Sequence, residues 1–203
     1  MIGIIDYGVG NLFSLVSSFQ TIGQKVFVSG KADELAKADR LVLPGVGAFG
    51  DAVNKLRQTG LDQFVCRQAD DGIPLMGICL GMQMLFESSC EYGLHRGLGL
   101  LKGHVVPMEG TLPPQLKIPH MGWNKLVIKN SKSKLLAQVK DGEYVYFVHS
   151  YFAQECDDAL AAVTDYGQML TAAVEKDHIF GCQFHPEKSG SVGLRILDAF
   201  CKI

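Results

Sequence analysis

Gly77-Ile78-Cys79-Leu80-Gly81-Met82-Gln83 is the stretch that decides the fold. An apolar run, residues 73–78, leads into the cysteine, and a run compatible with a helix, residues 80–87, leads out of it. A nucleophile between two glycines, each two residues away, is typical of a sharp turn from a strand into a helix. The helix that starts at Cys79 directs its first amides at the sulfur and favours a thiolate. We therefore predict a nucleophile at Cys79, although the pattern alone also fits a buried cysteine beside loop glycines.

The composition is that of an ordinary globular chain. Its 203 residues are 47% hydrophobic and 20% charged, with a formal net charge of −2, so we expect one domain over residues 1–203. The near-neutral charge argues against nucleic-acid binding, and no apolar segment reaches the roughly 20 residues of a membrane helix. The N-terminus lacks the basic region of a signal peptide, and the six cysteines form no C-x-x-C pair. These features favour a cytoplasmic protein with reduced thiols.

Short apolar segments alternate with amphipathic helical segments in the first half of the chain, which predicts parallel β-α-β units. After residue 98 strand-like runs dominate until a last helix. We therefore predict an α/β fold of three layers around a mixed sheet, with an antiparallel-rich second half. The predicted strands are 2–6, 25–28, 41–43, 74–78, 104–106, 126–128, 144–148, 160–163, 169–174 and 179–184. The predicted helices, besides 80–87, are 11–22, 48–56, 61–69 and 192–200.

His185 is the histidine best placed to act as the base for Cys79. It lies in Phe184-His185-Pro186-Glu187, directly after an apolar strand, at the edge where open α/β sheets carry their sites. Glu187 can accept the other ring N–H and fix the tautomer. A lone His-Pro-Glu at a strand end is usually structural, but beside a nucleophilic cysteine it predicts a Cys79-His185-Glu187 triad.

Attack on a carbonyl group also requires hydrogen-bond donors for the developing oxyanion. One predicted donor is the backbone N–H of Leu80, and a second lies in the glycine-rich turn Pro44-Gly45-Val46-Gly47. The same turn begins a literal G-x-G-x-x-G, residues 45–50, which also fits a dinucleotide-binding loop. We disfavour that alternative because two strands precede the motif and no strand with an acidic end follows at the expected distance.

A second glycine loop, residues 6–11, precedes the first helix. It either binds an anion at the helix N-terminus or is a plain turn capped by Asn11. No H-x-x-x-H or H-E-x-x-H pattern is present, so we predict no metal site, and we expect no cofactor.

Three motifs together resemble the class I, triad-type glutamine amidotransferases: the turn at Cys79, the PGVGAFG turn at 44–50, and QFHPEKS at 183–189. They occur in that family's order and span most of the chain. The resemblance implies a flavodoxin-like fold and hydrolysis of L-glutamine to glutamate and ammonia through a thioester at Cys79. It further implies the roles of the remaining site residues. Glutamine would be bound by Gln83 and by the backbone of Ser150 and Tyr151, and the oxyanion hole would be completed by Val46 and Gly47.

Two further stretches narrow the resemblance: Pro119-His120-Met121-Gly122-Trp123-Asn124 and the opening loop, residues 6–11. They are similar to the branch of the family whose members pass ammonia to a separate (βα)8-barrel synthase subunit. In histidine biosynthesis that synthase makes imidazole glycerol phosphate and an aminoimidazole carboxamide ribonucleotide. The resemblance implies a heterodimer whose interface on this chain contains Asn11, His120, Trp123, Asn124, Tyr146 and Lys188.

Two alternatives stay open at this point. One is a glutaminase that supplies a different synthase, because its glutamine site would be the same. The other is a non-catalytic binding module on the same fold, against which the intact triad argues.

Overall fold

The chain folds into fourteen strands and six α-helices, and the computed structural model describes all residues from Met1 to Ile203. The strands are β1 (Ile2–Ile5), β2 (Val26–Ser29), β3 (Arg40–Leu43), β4 (Leu75–Ile78), β5 (Ser88–Ser89), β6 (His95–Arg96), β7 (His104–Pro107), β8 (His120–Lys125), β9 (Val127–Ile128), β10 (Tyr144–His149), β11 (Tyr151–Gln154), β12 (Leu160–Asp165), β13 (Met169–Lys176) and β14 (Ile179–Cys182). The helices are α1 (Leu12–Thr21), α2 (Ala32–Leu35), α3 (Phe49–Gln58), α4 (Leu61–Asp70), α5 (Leu80–Met84) and α6 (Gly190–Cys201), and short 3-10 turns lie at Asp157–Ala159 and Pro186–Lys188. None of the helices has both the length and the apolar content needed to cross a lipid bilayer.

One eight-stranded sheet, in the order β2-β1-β3-β4-β14-β13-β12-β9, forms the centre of the molecule. The strands from β2 to β14 in this order run parallel, and those from β14 to β9 pair antiparallel. Two small sheets stand beside it, β10-β8 and β11-β7-β5-β6. The predicted mixed α/β sheet with an antiparallel second half is confirmed.

Successive side chains of the central strands point to opposite faces of the sheet and pack into two separate hydrophobic clusters. In β3, Leu41 and Leu43 join one cluster while Val42 joins the other, as the two-residue period of a strand requires. Helices α3 and α4 add Phe49 and Phe64 to the first cluster. Helices α1 and α6 contribute to the second, with Phe19 as an example. The helices therefore cover both faces of the sheet, which gives the predicted three layers.

Helix α5 is shorter than the predicted run of 80–87, and it ends at Met84. The carbonyl oxygens of Met84, Leu85 and Phe86 accept hydrogen bonds from backbone N–H groups of residues 98–101 instead of from a continuing helix. The chain is thus drawn into the small four-stranded sheet after little more than one helical turn. At the start of α1 the predicted cap is present: Asn11 Oδ1 accepts a hydrogen bond from the Ser14 N–H at 3.4 Å.

Four strands are absent from the sequence prediction: β5, β6, β8 and β11. Strand β8 was not predicted, because its outward side chains, among them Met121 and Trp123, are apolar and exposed and obscure the alternation of a half-buried strand. The predicted strand 144–148 corresponds to β10, and β11 follows after Ser150 in a different sheet.

We expect Gly81→Ala to lower the free energy of unfolding by about 3 kcal/mol or more, because overpacking against an immobile neighbour is costly. A Cβ at Gly81 would lie 1.8 Å from the carbonyl oxygen of Leu43, a backbone atom that cannot turn aside. Gly110→Ala is the matched control, since nothing lies within 4 Å of its Cβ and only its φ of +79° opposes the change, at about 1 kcal/mol. Urea unfolding of both variants measures the difference, and equal losses would contradict the close packing proposed at Gly81.

Candidate active site

Cys79 occupies the sharp turn between β4 and α5, with φ of 55° and ψ of −114°. Such a conformation is strained for a residue with a side chain. Glycines on both sides make it feasible, since a Cβ at Gly77 would lie 2.6 Å from the backbone of Met82. The Cys79 N–H donates to the Cys182 carbonyl at 2.7 Å, so the turn is fastened to the neighbouring strand β14.

His185 and Glu187 follow β14 and form a buried pair. His185 Nδ1 lies 2.8 Å from Glu187 Oε1, and the two side chains are 4% and 2% exposed. Burial alone lowers the pKa of His185, but the nearby Cys79 sulfur and the Glu187 carboxylate outweigh burial and raise that pKa to about 10. The ring is therefore an imidazolium at neutral pH, bonded to the carboxylate and sharing the pocket with the sulfur. The structure brings together all three residues of the predicted triad.

A pocket of about 310 Å³ opens directly onto the sulfur of Cys79. This volume is at the small end of the range for ligand sites and suits a molecule of amino-acid size. Its walls come from the turns after β3, β4 and β14, from α5, and from the junction between β10 and β11. The lining residues are Val46, Gly47, Cys79, Leu80, Gln83, Glu91, Pro119, Val148, His149, Ser150, Tyr151 and His185.

The predicted oxyanion donors all line this pocket. The backbone N–H groups of Val46 and Gly47 donate to no other atom of the protein, and both residues are exposed. Leu80 is the first residue of α5, whose N–H has no partner within the helix. At the start of the turn that carries Val46 and Gly47, the Pro44 carbonyl accepts a buried hydrogen bond of 2.8 Å from the Tyr7 hydroxyl. Burial holds the pKa of Tyr7 above its ordinary value, so the hydroxyl keeps its proton and anchors the turn.

The predicted substrate residues, Gln83, Ser150 and Tyr151, also line the pocket. Gln83 Nε2 donates to the Tyr151 carbonyl at 3.1 Å and to Gln183 Oε1 at 2.9 Å. Gln183 Nε2 in turn lies 3.9 Å from Cys79 Sγ. The N–H of Ser150 has no acceptor within the protein and is free to bind a ligand.

Sequence reasoning missed two polar residues of the lining, Glu91 and His149, and the fully buried Gln183 that lies behind the pocket against Gln83. Gln183 precedes Phe184 in the quoted QFHPEKS motif, so its position next to His185 was available as a signal. Glu91 brings a carboxylate to the pocket, and its Oε2 accepts from the Phe49 N–H at 2.5 Å. Neither Glu91 nor His149 stands in a local pattern that distinguishes it.

The residues predicted for a partner interface differ in how accessible they are. Trp123, Tyr146 and Lys188 form an accessible cluster, in which the Trp123 and Tyr146 rings are 6.1 Å apart and Lys188 Nζ lies 6.0 Å from the Tyr146 ring. Trp123 is 55% exposed. His120 is buried at 3% exposure, stacked between Phe147 and Tyr166, and so lies beneath the surface rather than on it.

The two asparagines are half-buried. Asn11 caps α1, and Asn124 donates to His120 and to the Asp165 carbonyl. The carbonyl of Tyr146 accepts from the His185 N–H at 2.9 Å, which links the accessible cluster directly to the triad.

Comparison with known proteins places this geometry in a family. The profile of the glutamine amidotransferase class-I family matches residues 3–202. Imidazole glycerol phosphate synthase subunit HisH of Bacillus subtilis strain 168 is 50% identical over 206 residues, covering 100% of this chain and 96% of that protein. The protein of the same name from Wolinella succinogenes is 46% identical over 205 residues, covering all of both chains.

Solved structures agree in fold. A glutamine amidotransferase crystal structure matches with a TM-score of 0.77 at 17% identity, over 99% of this chain and 97% of the other. The glutaminase domain of a Trypanosoma brucei protein, CTPS, solved with bound acivicin, gives a TM-score of 0.69 at 17% identity, over 99% and 93% of the two chains. The chain belongs to the class-I glutamine amidotransferase family.

Proposed function

We propose that this chain is the glutamine-hydrolysing subunit of an imidazole glycerol phosphate synthase and works in histidine biosynthesis. The observation that carries the glutaminase activity is the buried Cys79-His185-Glu187 arrangement, which opens onto a pocket of amino-acid size. The synthase is suggested by full-length relatives of 46–50% identity that carry the name of its HisH subunit. Nothing in the structure favours the alternative of a glutaminase for a different synthase.

The reaction begins with attack of the Cys79 thiolate on the side-chain carbonyl carbon of L-glutamine. The carbonyl oxygen becomes an oxyanion, which accepts hydrogen bonds from the backbone of Leu80 and of the turn at Val46 and Gly47. His185 donates its proton to the amide nitrogen, the C–N bond breaks, and ammonia leaves.

A glutamyl thioester then remains on Cys79. His185, now neutral, removes a proton from water, and the resulting hydroxide attacks the thioester carbonyl. Glutamate is released with the regenerated thiolate, and His185 is again protonated. Glu187 fixes the ring throughout and stabilises its positive charge.

The other end of glutamine is an amino acid zwitterion, and the pocket holds matching groups. The Glu91 carboxylate and the Gln83 side chain suit the α-ammonium group, and the free N–H of Ser150 suits the α-carboxylate. This arrangement directs the side-chain amide toward Cys79.

The ammonia is passed to a (βα)8-barrel synthase subunit that docks as a heterodimer on the Trp123, Tyr146 and Lys188 cluster. An exposed tryptophan beside a tyrosine and a lysine suits an interface anchor. Because the His185 N–H donates to the Tyr146 carbonyl, a partner bound at Tyr146 would touch a residue that is hydrogen-bonded to the proton donor itself.

We expect Cys79→Ser to lower the rate of glutamine hydrolysis at least about 10³-fold, because a hydroxyl replaces the reactive thiolate. The assay measures glutamate formation in the presence of the barrel subunit and its ribonucleotide ligand. Cys90→Ser changes an exposed cysteine outside the pocket lining and serves as the matched control, with activity retained. In the wild type, 6-diazo-5-oxo-L-norleucine should label Cys79 alone, and labelling elsewhere would overturn the assignment.

We expect Glu187→Gln to lower the pKa of His185, because the change removes the adjacent negative charge that helps to raise it. NMR titration of the His185 ring is the measurement. The wild-type ring stays protonated through the neutral range, and the titration midpoint of the variant moves to lower pH. Glu155→Gln, next to the exposed His104, is the control and leaves the His185 curve unchanged. An unshifted midpoint in Glu187→Gln would show that the Glu187 carboxylate does not stabilise the positive charge of the His185 ring.

We expect Trp123→Ala to leave the fold intact and to weaken stimulation of glutaminase activity by the barrel subunit about tenfold, because it removes the aromatic anchor of the proposed interface. The measurement compares the stimulated rate over a range of partner concentrations. Tyr144→Ala, which removes another exposed aromatic ring of β10 that is not part of the cluster, is the matched control. Unchanged stimulation in Trp123→Ala would place the docking face elsewhere.

A further inference from the structure

A continuous line of buried polar side chains leads from the glutamine pocket to the two-stranded sheet β10-β8. It starts at the Tyr151 carbonyl, which accepts from Gln83 Nε2 at 3.1 Å and meets His149 Nδ1 at 2.8 Å. His149 Nε2 lies 3.0 Å from His120 Nδ1, and His120 Nε2 lies 3.2 Å from Asn124 Nδ2. Both imidazoles are buried, at 6% and 3% exposure.

The line ends at a backbone carbonyl on each side, and these two acceptors determine which ring nitrogen of each histidine carries the proton. A backbone carbonyl only accepts, so His149 carries its proton on Nδ1 and leaves Nε2 as an acceptor. His120 must then donate from Nδ1, which leaves its own Nε2 to accept from the side-chain amide of Asn124. That amide uses its second N–H on the Asp165 carbonyl at 2.8 Å. Each group thus has a partner, and only one arrangement of neutral rings fits.

The surroundings keep both rings neutral. Burial lowers the pKa of His149 to about 3, with further lowering by the nearby rings of His120 and His185, which outweigh the opposing hydrogen bond to Tyr151. Burial lowers the pKa of His120 to about 4. Adding a proton to either ring would set donor against donor within the line.

The Tyr151 carbonyl, at the end of the line, belongs to the first residue after the chain passes from one sheet to another. At Ser150 the chain leaves the β10-β8 sheet and enters the four-stranded sheet, so no ladder of hydrogen bonds continues through this point. His149 reaches across the break to the carbonyl of Tyr151, which Gln83 holds from the side of α5. Both hydrogen bonds end at the same carbonyl oxygen, one residue after the free N–H of Ser150.

We propose that His149 is a positioning residue of the glutamine site: its Nδ1–H holds the Tyr151 carbonyl, and His120 dictates the tautomer that makes this bond. The role rests on the proposed glutaminase function, because the segment that it holds is the one assigned to the amino-acid end of glutamine. His149 touches no reacting atom and acts through the backbone of Ser150 and Tyr151.

The first test measures the tautomers of the wild-type protein by ¹⁵N NMR of its histidine rings at neutral pH. The expected result is a proton on Nδ1 and none on Nε2 in both His149 and His120. A proton on Nε2 of His149 would overturn the proposal, whatever the activity of the protein, because Nδ1 could then not donate to the carbonyl.

The second test separates KM from kcat with glutamine as the substrate, in the complex with the barrel subunit. His149→Ala should raise KM roughly tenfold, as expected for the loss of one buried hydrogen bond, and leave kcat within about threefold. His149→Asn places an amide N–H where Nδ1 stood and should restore KM to within about threefold of the wild type. His104→Asn changes an exposed histidine outside the pocket and is the matched control.

The outcomes are distinguishable from a failure of the proposed function. If the wild type hydrolyses no glutamine and Cys79 is not labelled, the glutaminase assignment fails, and with it the role of His149. If the wild type is active but KM is the same in His149→Ala, or is not restored in a folded His149→Asn, the positioning role alone is overturned. Thermal unfolding of each variant identifies one that has lost the fold, and the tautomer measurement then decides.

Discussion

The parallel pairing of β4 with β14 is the constraint on which the candidate site depends. Its register sets Ile78 opposite Cys182, so the residues that follow each strand emerge side by side at one edge of the sheet. Cys79 and His185 are far apart in the sequence and meet only because these strands are neighbours. The hydrogen bond from the Cys79 N–H to the Cys182 carbonyl fastens the two turns to each other.

The strained backbone at Cys79 persists because the surrounding structure leaves it no alternative. A conformation of this kind costs on the order of 1–3 kcal/mol and must be imposed by contacts elsewhere. Here the imposing contacts are the close approaches at Gly77 and Gly81, which press α5 against the ends of β3 and β4. The same compression holds Gly45 against the backbone N–H of Gly81, so the oxyanion turn and the nucleophile are set by one packing interaction.

The sequence predicted the parts of the site that have a local cause. The turn at Cys79 is recognisable because strand, glycines and helix are consecutive, and His185 with Glu187 because they end an apolar strand. The alternation of strands and helices likewise predicted the layers of the sheet. Strand β8 was missed, because its apolar residues face outward and its hydrophobic pattern does not indicate which side is buried.

The line through His149 and His120 lay beyond sequence reasoning for a different reason. Each imidazole belongs to an ordinary β-prone stretch, and its role depends on the pairing of β10 with β8, which sets His149 directly opposite His120. Pairing between distant strands has no signature in either segment alone. Residue type gives no guidance either, because a buried histidine is as compatible with a filled core as with a site.

Three histidines in one small region show how partners, rather than residue type, decide charge. His185, His149 and His120 are all buried, and burial lowers the pKa of each. Only His185 has an anionic partner, Glu187, together with the sulfur of Cys79, and only its pKa rises. The other two rings meet a carbonyl, an amide and each other, and the hydrogen bond of His149 to the Tyr151 carbonyl, which favours a positive charge, is outweighed by burial. A second imidazolium nearby would repel the first and lower the pKa of His185, so the neutrality of the histidine line helps His185 to keep the proton that it gives to the leaving group.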